Sequence, residues 1–332
     1  MISVSFSDDA RDFVKRDWSD LVLQDPSGTI FHDPRFLKLY WEEFGEGALL
    51  LAFGEDGGRQ VAAVAFEQLG ERVRFLGGTE ITDYLGPVGE PGRIDAFADA
   101  LWAALADREW SEADLRGLPE DSPWLAALGR AAEAYEVSVE ETDDQNGVAP
   151  SLDLPDPASG GWEAYLQGLP SKLRHEIRRK AKKLEAEAGP YTIEVTTEDT
   201  LASHLDRFVE LHRMSEGPKG VFMVPGMEIF FRRLAEEFLP TGVFRLSFIR
   251  VAGELAAGTI GFVHRGTFFL YNSAFDRRWQ QLAPGMVLVA EDIRRAIDEG
   301  CSRFDLLKGD YAYKYRFGAR PRAVRRLVAR RR

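Results

Sequence analysis

The 332-residue sequence predicts an α/β (α+β) protein of two similar domains, each a mixed, mostly antiparallel sheet flanked by helices. Three observations carry this expectation. One order of elements occurs twice: helices, then short strands joined by tight turns, then a helix and a further strand. Residues 143–157, rich in Asp, Pro, Gly and Asn, lie between the two copies and set domains of 1–150 and 151–332. The charge also changes there. Residues 1–150 hold 31 acidic and 12 basic side chains, whereas 151–332 hold 23 acidic and 30 basic, so an overall charge of −12 divides into −19 and +7. A basic half is suited to an anion such as a phosphorylated cofactor, a nucleic acid or a lipid headgroup, or is simply a solvated surface.

In the first half, helical patterns cover 8–23 and 33–44. Strands follow at 48–53, 60–68 and 72–76, with turns at Asp56-Gly57-Gly58 and Leu69-Gly70-Glu71. A helix at 93–108, a strand at 113–117, a helix at 123–134 and a strand at 136–141 complete it. Thr79-Glu80-Ile81-Thr82-Asp83-Tyr84-Leu85-Gly86-Pro87-Val88 reads as turn chemistry.

Between the halves runs a helix at 171–188. Ser171 is placed to cap it and Gly189-Pro190 ends it. Its apolar stripe is thin (Leu173, Ile177, Ala181, Leu184), and seven fixed positive charges fall within residues 172–183: Lys172, Arg174, Arg178, Arg179, Lys180, Lys182 and Lys183. Such a run repels itself unless an anion is near, which favours an anionic partner, or docking on the acidic half, over a plain solvated face.

In the second half, a strand at 191–197 precedes helices at 201–215 and 225–238. Strands at 243–251, 255–264 and 267–274 are joined by Gly253-Glu254 and Arg265-Gly266, which suit tight hairpins. A helix at 285–299 puts Val289, Ile293, Ala296 and Ile297 on one face and stops at Gly300. Strands at 302–307 and 323–329 complete the half, the last free to pack on the first domain.

Composition excludes several classes. Apolar residues make up 45% of the chain, enough for real cores. No run of 18 apolar residues exists for a membrane span, and the N-terminus lacks the basic and apolar regions of a signal peptide. Cys301 is the sole cysteine, which excludes an intramolecular disulfide and fits a reducing, cytoplasmic setting. A small core residue is its favoured reading over a nucleophile. The five histidines, His32, His175, His204, His212 and His264, are scattered, so no metal site is expected.

The most informative stretch is Phe304-Asp305-Leu306-Leu307-Lys308-Gly309-Asp310-Tyr311-Ala312-Tyr313-Lys314-Tyr315-Arg316-Phe317-Gly318. A short strand runs into a lysine, an aspartate, three tyrosines, a second lysine and an arginine, chemistry that a core strand does not need just past its end. This stretch closely resembles the signature of the acetyltransferase-like family of cellulose and exopolysaccharide biosynthesis loci (CelD-type), of the GNAT superfamily and kin to the Fem-type peptidyltransferases. The resemblance covers about residues 165–320 in sequence and is topological over 25–150.

It implies tandem GNAT-like domains, with the acyltransferase in the second and an acceptor-side or structural role for the first. The implied reaction moves an acyl group to an amine or hydroxyl on a glycan- or lipid-linked envelope or polysaccharide precursor. Acetyl-CoA or another acyl-CoA would be co-substrate, with no tightly bound cofactor and peripheral membrane contact allowed. GNAT enzymes bind pyrophosphate at Q/R-x-x-G-x-G/A. Here Gln280-Gln281-Leu282-Ala283-Pro284-Gly285 matches at Gln280 and Gly285 but has Ala283 for the first glycine. The amides of Gly285, Met286, Val287 and Leu288 would face the phosphates, although Pro284 equally suits an ordinary helix start. Tyr271 and Asn272, on the strand before, would flank the donor arm, or else Tyr271 simply faces outward. Asp310 is the expected base, Tyr313 (or Tyr311) the acid or hydrogen-bond donor, and Lys308 the electrostatic element. Asp83, Tyr84, Arg213, Lys219 and Lys314 are the expected substrate contacts. Two alternatives stand. One is a Fem-type aminoacyltransferase using charged tRNA, with helix 171–188 and the arginines at 316, 320, 322, 325, 326, 330, 331 and 332 as footprint. The other is a non-catalytic GNAT-like binding protein.

Overall fold

The computed structural model describes residues 1–78, 80–215 and 221–331. The chain divides into one unit of Met1–Val148 with Arg322–Arg332, and a second of Ala149–Pro321.

The first unit is built on strands β1 (Ser3–Ser7), β2 (Ala48–Asp56), β3 (Arg59–Leu69), β4 (Arg72–Phe75), β5 (Val88–Gly89), β6 (Glu112–Pro119) and β7 (Val137–Val148), joined by β14 (Ala323–Arg331) from the end of the chain. They form one sheet in the order β1-β2-β3-β4-β6-β14-β7, with β5 on β3. Among the described residues only β4 and β6 pair in parallel in this sheet, Arg72–Arg74 against Glu112–Asp114. Helices α1 (Asp12–Lys15), α2 (Ser19–Gln24), α3 (Pro34–Phe44), α4 (Ile94–Ala106) and α5 (Pro123–Ala132) flank it. Phe66, Phe97, Leu101, Trp102, Leu115, Trp124 and Leu327 share one core, so the final strand is packed as deeply as its neighbours.

Three expectations are corrected here. The single helix expected over 8–23 is two, because the Asp17 carboxylate accepts the Ser19 amide (2.8 Å) and Trp18 turns inward to donate to the His32 carbonyl (2.9 Å). Residues 143–148 are not linker but the end of β7, held by β14 through Ala323 opposite Val148 and Arg325 opposite Asp143. Four of the eight arginines expected on a tRNA are engaged within this unit: Arg322 with Asp121, Arg325 with Asp143, Arg326 with Asp114 and Arg330 with Glu112. Burial raises Asp114, but the guanidinium groups of Arg326 and Arg116 outweigh it and hold that carboxyl below the usual range. Arg332 lies outside the described residues.

The second unit holds β8 (Ser151–Asp153), α6 (Gly161–Gly168), α7 (Ser171–Ala188), β9 (Thr192–Val195), α8 (Leu201–Arg213), α9 (Pro225–Phe238), β10 (Phe244–Val251), β11 (Glu254–His264), β12 (Thr267–Phe275), α10 (Pro284–Asp298), β13 (Arg303–Asp305) and α11 (Ala312–Tyr315). The sheet order is β8-β13-β12-β11-β10-β9, antiparallel except where β12 meets β13. β8, three residues from the expected linker, exists because it pairs with β13, Leu152 opposite Phe304. α7 has the expected bounds, but Pro170 rather than Ser171 stands at its cap position. Cys301 is buried and burial pushes its thiol up, so it behaves as a small core residue.

Candidate functional site

The site is built where β12 leaves its neighbour. β12 pairs with β13 only over Thr267–Phe269, opposite Arg303–Asp305, and its remaining residues pair on one side, with β11. A register shift sets Asn272 opposite Ile260 but Leu270 opposite Gly261, which leaves Tyr271 as the extra residue of a bulge. A bulge of this kind bends the strand and increases its twist, so β12 diverges from β13 and exposes a one-sided edge. Tyr271 turns its ring into a cluster with Phe231 (5.6 Å) and Phe262 (5.3 Å), a packed position rather than an outward one. The Asn272 side chain accepts the Ser273 amide (2.8 Å), which stiffens the strand at the bulge.

Past β12, a 3₁₀ turn over Arg277–Leu282 leads through Ala283, at φ +52°, into α10. The left-handed residue stands where the pyrophosphate motif has its first glycine, so the backbone adopts the unusual conformation even without glycine. The donors there differ from expectation. Pro284 has no N–H, and the amides of Met286 and Val287 both reach the Ala283 carbonyl (3.0 and 3.3 Å). Leu288 lies inside the helix, which leaves Gly285 as the amide presented at the start. A Cβ at Gly285 would find only Phe275 Cβ, at 4.0 Å, so the space in front is open. Gln280 lies in the 3₁₀ turn, its carbonyl accepting the Ala283 amide (3.1 Å).

Side-chain cations add to this helix start. Lys183 of α7 donates to the Gln281 carbonyl (3.0 Å) and so sets the basic helix beside the loop. Lys180 is held below its usual pKa, first by burial and then by the positive charges of Arg316, Arg179 and Lys183, against the opposing pull of Glu176. Four cations thus stand within one another's field.

The stretch after β13 folds by its own polar groups. Asp305, buried, accepts the Leu307 amide (2.8 Å) and ends the strand. Leu307 takes φ +60° and Gly309 φ +107°. At Gly309 a Cβ would sit 2.4 Å from the Tyr311 ring, so glycine is required there. Lys314 is 2% exposed, and its ammonium donates to the carbonyls of Leu307 (2.6 Å) and Lys308 (2.8 Å). Its place is therefore inside the segment, bracing the strand exit, and not on a substrate. Lys308 is half-buried and Asp310 exposed. The Asp310 carboxylate accepts from the Tyr315 hydroxyl, and that bond, with burial second, pushes the Tyr315 phenol up to about 12. Tyr313 packs against the cluster of Leu270, Leu306 and Phe317 that also takes in Met286, and burial pushes its phenol up to about 12. One apolar cluster therefore ties together β12, the start of α10 and the 306–317 segment. Tyr315 as the partner of Asp310 was missed in the sequence, whereas Lys180 and Arg316 were grouped there as parts of a tRNA footprint. The five-residue interval from Asp310 to Tyr315, one helical turn past a strand end, is the signal that could have found the first.

The remaining candidates lie elsewhere. Tyr84 is fully buried beside Phe31 (6.2 Å) under Arg322, a core position rather than a substrate contact, and Asp83 beside it is half-buried. Arg213 pairs with Glu228 (2.7 Å) on the wall of a cavity of about 410 Å³ that Met214 and Arg232 also line. Lys219 lies outside the described residues. Among the described residues no group of acidic, histidine or cysteine side chains is arranged for a metal, and no helix is long and apolar enough to cross a membrane.

Residues 171–315 match the family model of an acetyltransferase (GNAT) domain, which supports an acyltransferase without specifying its donor. No curated protein sequence matches the chain. Among solved structures, a conserved protein of unknown function from Bacteroides thetaiotaomicron is 14% identical, covers 98% of this chain and 99% of its own, and superposes with a TM-score of 0.65. FemX is 9% identical over 93% of this chain and 94% of its own, with a TM-score of 0.64. A tandem GNAT protein from the clavulanic acid biosynthesis pathway is 12% identical over 98% of both chains, with a TM-score of 0.52. At such identities the likeness is one of fold, and the fold is two GNAT-like units in tandem.

Proposed function

We propose that the second unit moves an acyl group from a phosphate-bearing activated donor to an amine or hydroxyl on a cell-envelope or polysaccharide precursor, with acyl-CoA as donor. The observation that carries this reading is the one-sided edge of β12, which runs past the bulge at Tyr271 into the turn before α10. An extended acyl arm adds to such an edge as a further strand does, through backbone hydrogen bonds. An anionic group at the arm's far end then meets the Gly285 amide, the helix dipole and the side chains of Lys183 and its neighbours. Asp310 takes the proton from the attacking nitrogen or oxygen as that atom bonds to the acyl carbon, Lys308 offsets the negative charge that develops on the carbonyl oxygen, and Tyr313 or Tyr315 gives its proton to the CoA thiolate as the C–S bond breaks.

A second reading has an observation of its own. The helix start offers few backbone donors, whereas α7 presents Lys172, Arg174, Arg179 and Lys182 in addition to Lys180 and Lys183. Recognition by a long basic face rather than a compact amide cradle suits an aminoacyl-tRNA. Titration of the whole protein with acetyl-CoA, longer acyl-CoA species and charged tRNA separates the two. Acyl-CoA that binds with weak dependence on salt supports the first. Binding of tRNA that weakens by orders of magnitude from low to moderate salt, with none of acyl-CoA, replaces it with the second. Binding of neither contradicts both.

A further inference from the structure

The first unit contains a cavity of about 440 Å³ whose lining includes Tyr40, Glu43, Phe44, Glu46, Arg74 and Glu80. Its charge does not balance. Arg74 is the cation, and its guanidinium is taken up by Glu67, a fully buried carboxylate 2.6 Å away that also accepts the amides of Glu46 (2.6 Å) and Gly47 (3.1 Å). Glu46 stands farther from Arg74, at 3.6 Å, and among the described residues Glu80 accepts only the neutral Gln145 amide (3.1 Å). Glu43 is half-buried and has no hydrogen-bonding or ionic partner among the described residues. Three carboxylates therefore surround the space in excess of the cation there.

Acidic side chains alone would mark no more than a charged surface, but Tyr40 is a second and independent feature. Tyr40 is 3% exposed, lines the cavity, and its hydroxyl has no hydrogen-bond partner among the described residues. The hydroxyl is directed at the Gly78 edge of the cavity, where a Cβ would lie 2.6 Å from it. The side chain is buried but its hydroxyl is left without a protein partner among the described residues at the cavity, so its hydrogen bonds go to whatever occupies the cavity. Burial, with the charge of Glu67 second, pushes this phenol up to about 12, so it remains a neutral donor and acceptor.

The arrangement also selects the kind of ligand. The acidic groups are not gathered as metal ligands are. Their complement is positive charge spread along a molecule. The rings of Tyr40 and Phe44, 5.6 Å apart, and the Ile81 side chain supply walls for methylene groups and for cation–π contact. We infer that this cavity binds a small aliphatic polyamine, with ammonium groups at Glu43, Glu46 and Glu80 and at the Tyr40 hydroxyl. The site belongs to the first unit alone and stands whether or not the second unit transfers acyl groups.

Calorimetric titration of the full chain with spermidine, at fixed ionic strength, tests this, with magnesium chloride as the comparison. The expected result is saturable binding of one spermidine, tighter than that of magnesium. Glu43→Gln should weaken it about tenfold and Tyr40→Phe several-fold, in proteins whose melting temperatures show them folded. Glu136→Gln, an exposed change that does not line the cavity, should leave binding as it was. Absence of saturable binding would overturn the assignment. So would spermidine binding no tighter than magnesium, or affinity unchanged in both folded variants.

Discussion

The two units share one run of elements and part company at the strand before the long helix. In the second unit that strand, β12, continues six residues beyond the three that pair in parallel with β13, and it bulges where it diverges. In the first, β4 has four residues, three of them paired in parallel with β6, and it stops at Phe75. A turn-rich stretch then buries Tyr84 before α4 begins. The sheets also close differently. The first unit completes its sheet with β14 from the far end of the chain, whereas β13 of the second is flanked by the short β8. Both units have a mixed sheet flanked by helices, and among the described residues only the second presents an open edge leading into a helix start. The comparison supports placing transfer chemistry in the second unit and a different task in the first.

Substitutions placed in each of the two units would break or sharpen that contrast. The largest effects are expected from Asp310→Asn and Tyr84→Ala, and they should fall on different observables. Asp310→Asn removes the proposed base from an exposed position and should cost ~10²–10⁴ in turnover with little change in melting temperature. Tyr84→Ala empties a fully buried core position and should cost about 3–5 kcal/mol of stability with turnover per folded molecule retained. Denaturation and rate measurements on both proteins decide, and loss of turnover in both would end the division of labour.

Lys314→Met is next. It withdraws the ammonium from two carbonyls and should cost about 1–3 kcal/mol. Turnover should fall as well, because the Leu307–Asp310 backbone that the lysine holds is the support for the proposed base. Stability unchanged by urea denaturation would show that the brace is dispensable.

Smaller still is a pH effect under α10. Asp292 is fully buried, accepts from Thr259 (2.7 Å) and lies 4.0 Å from Arg295, and burial pushes its carboxyl up to about 6. The folded state therefore holds this proton more tightly than the unfolded chain, whose carboxyl titrates near 3.8. Its contribution is fully present below pH 3.8 and is lost as pH rises through about 6. Asp292→Asn should flatten the dependence of stability on pH between 4 and 7. An unaltered slope would show that this carboxyl is not the group responsible.

The range of the interactions decides how much of the molecule is legible in its sequence. The helix at 171–188 and the hairpins of β10, β11 and β12 were readable because local periodicity and the turns Gly253-Glu254 and Arg265-Gly266 determine them. The end of β7, the three residues of β8 and the bulge at Tyr271 were not, because each is defined by a partner strand distant in sequence. At the candidate site, the segment could be located from its unusual chemistry, but the roles within it could not. Lys314 looks like any exposed lysine until its ammonium is seen turned onto two carbonyls, and the C-terminal arginines resemble a nucleic-acid footprint until Asp114, Asp121 and Asp143 are found opposite them.

The claim that the edge of β12 and the start of α10 form a donor site is tested most directly at Gly285. Gly285→Asp places a carboxylate where an anion must approach, in open space, and an acidic residue in the first helical turn does not oppose folding. Titration of wild-type and Gly285→Asp protein with acyl-CoA and with charged tRNA should show one donor bound by the wild type and lost in the variant, at equal melting temperature. Equal donor affinity in the two folded proteins would contradict the account.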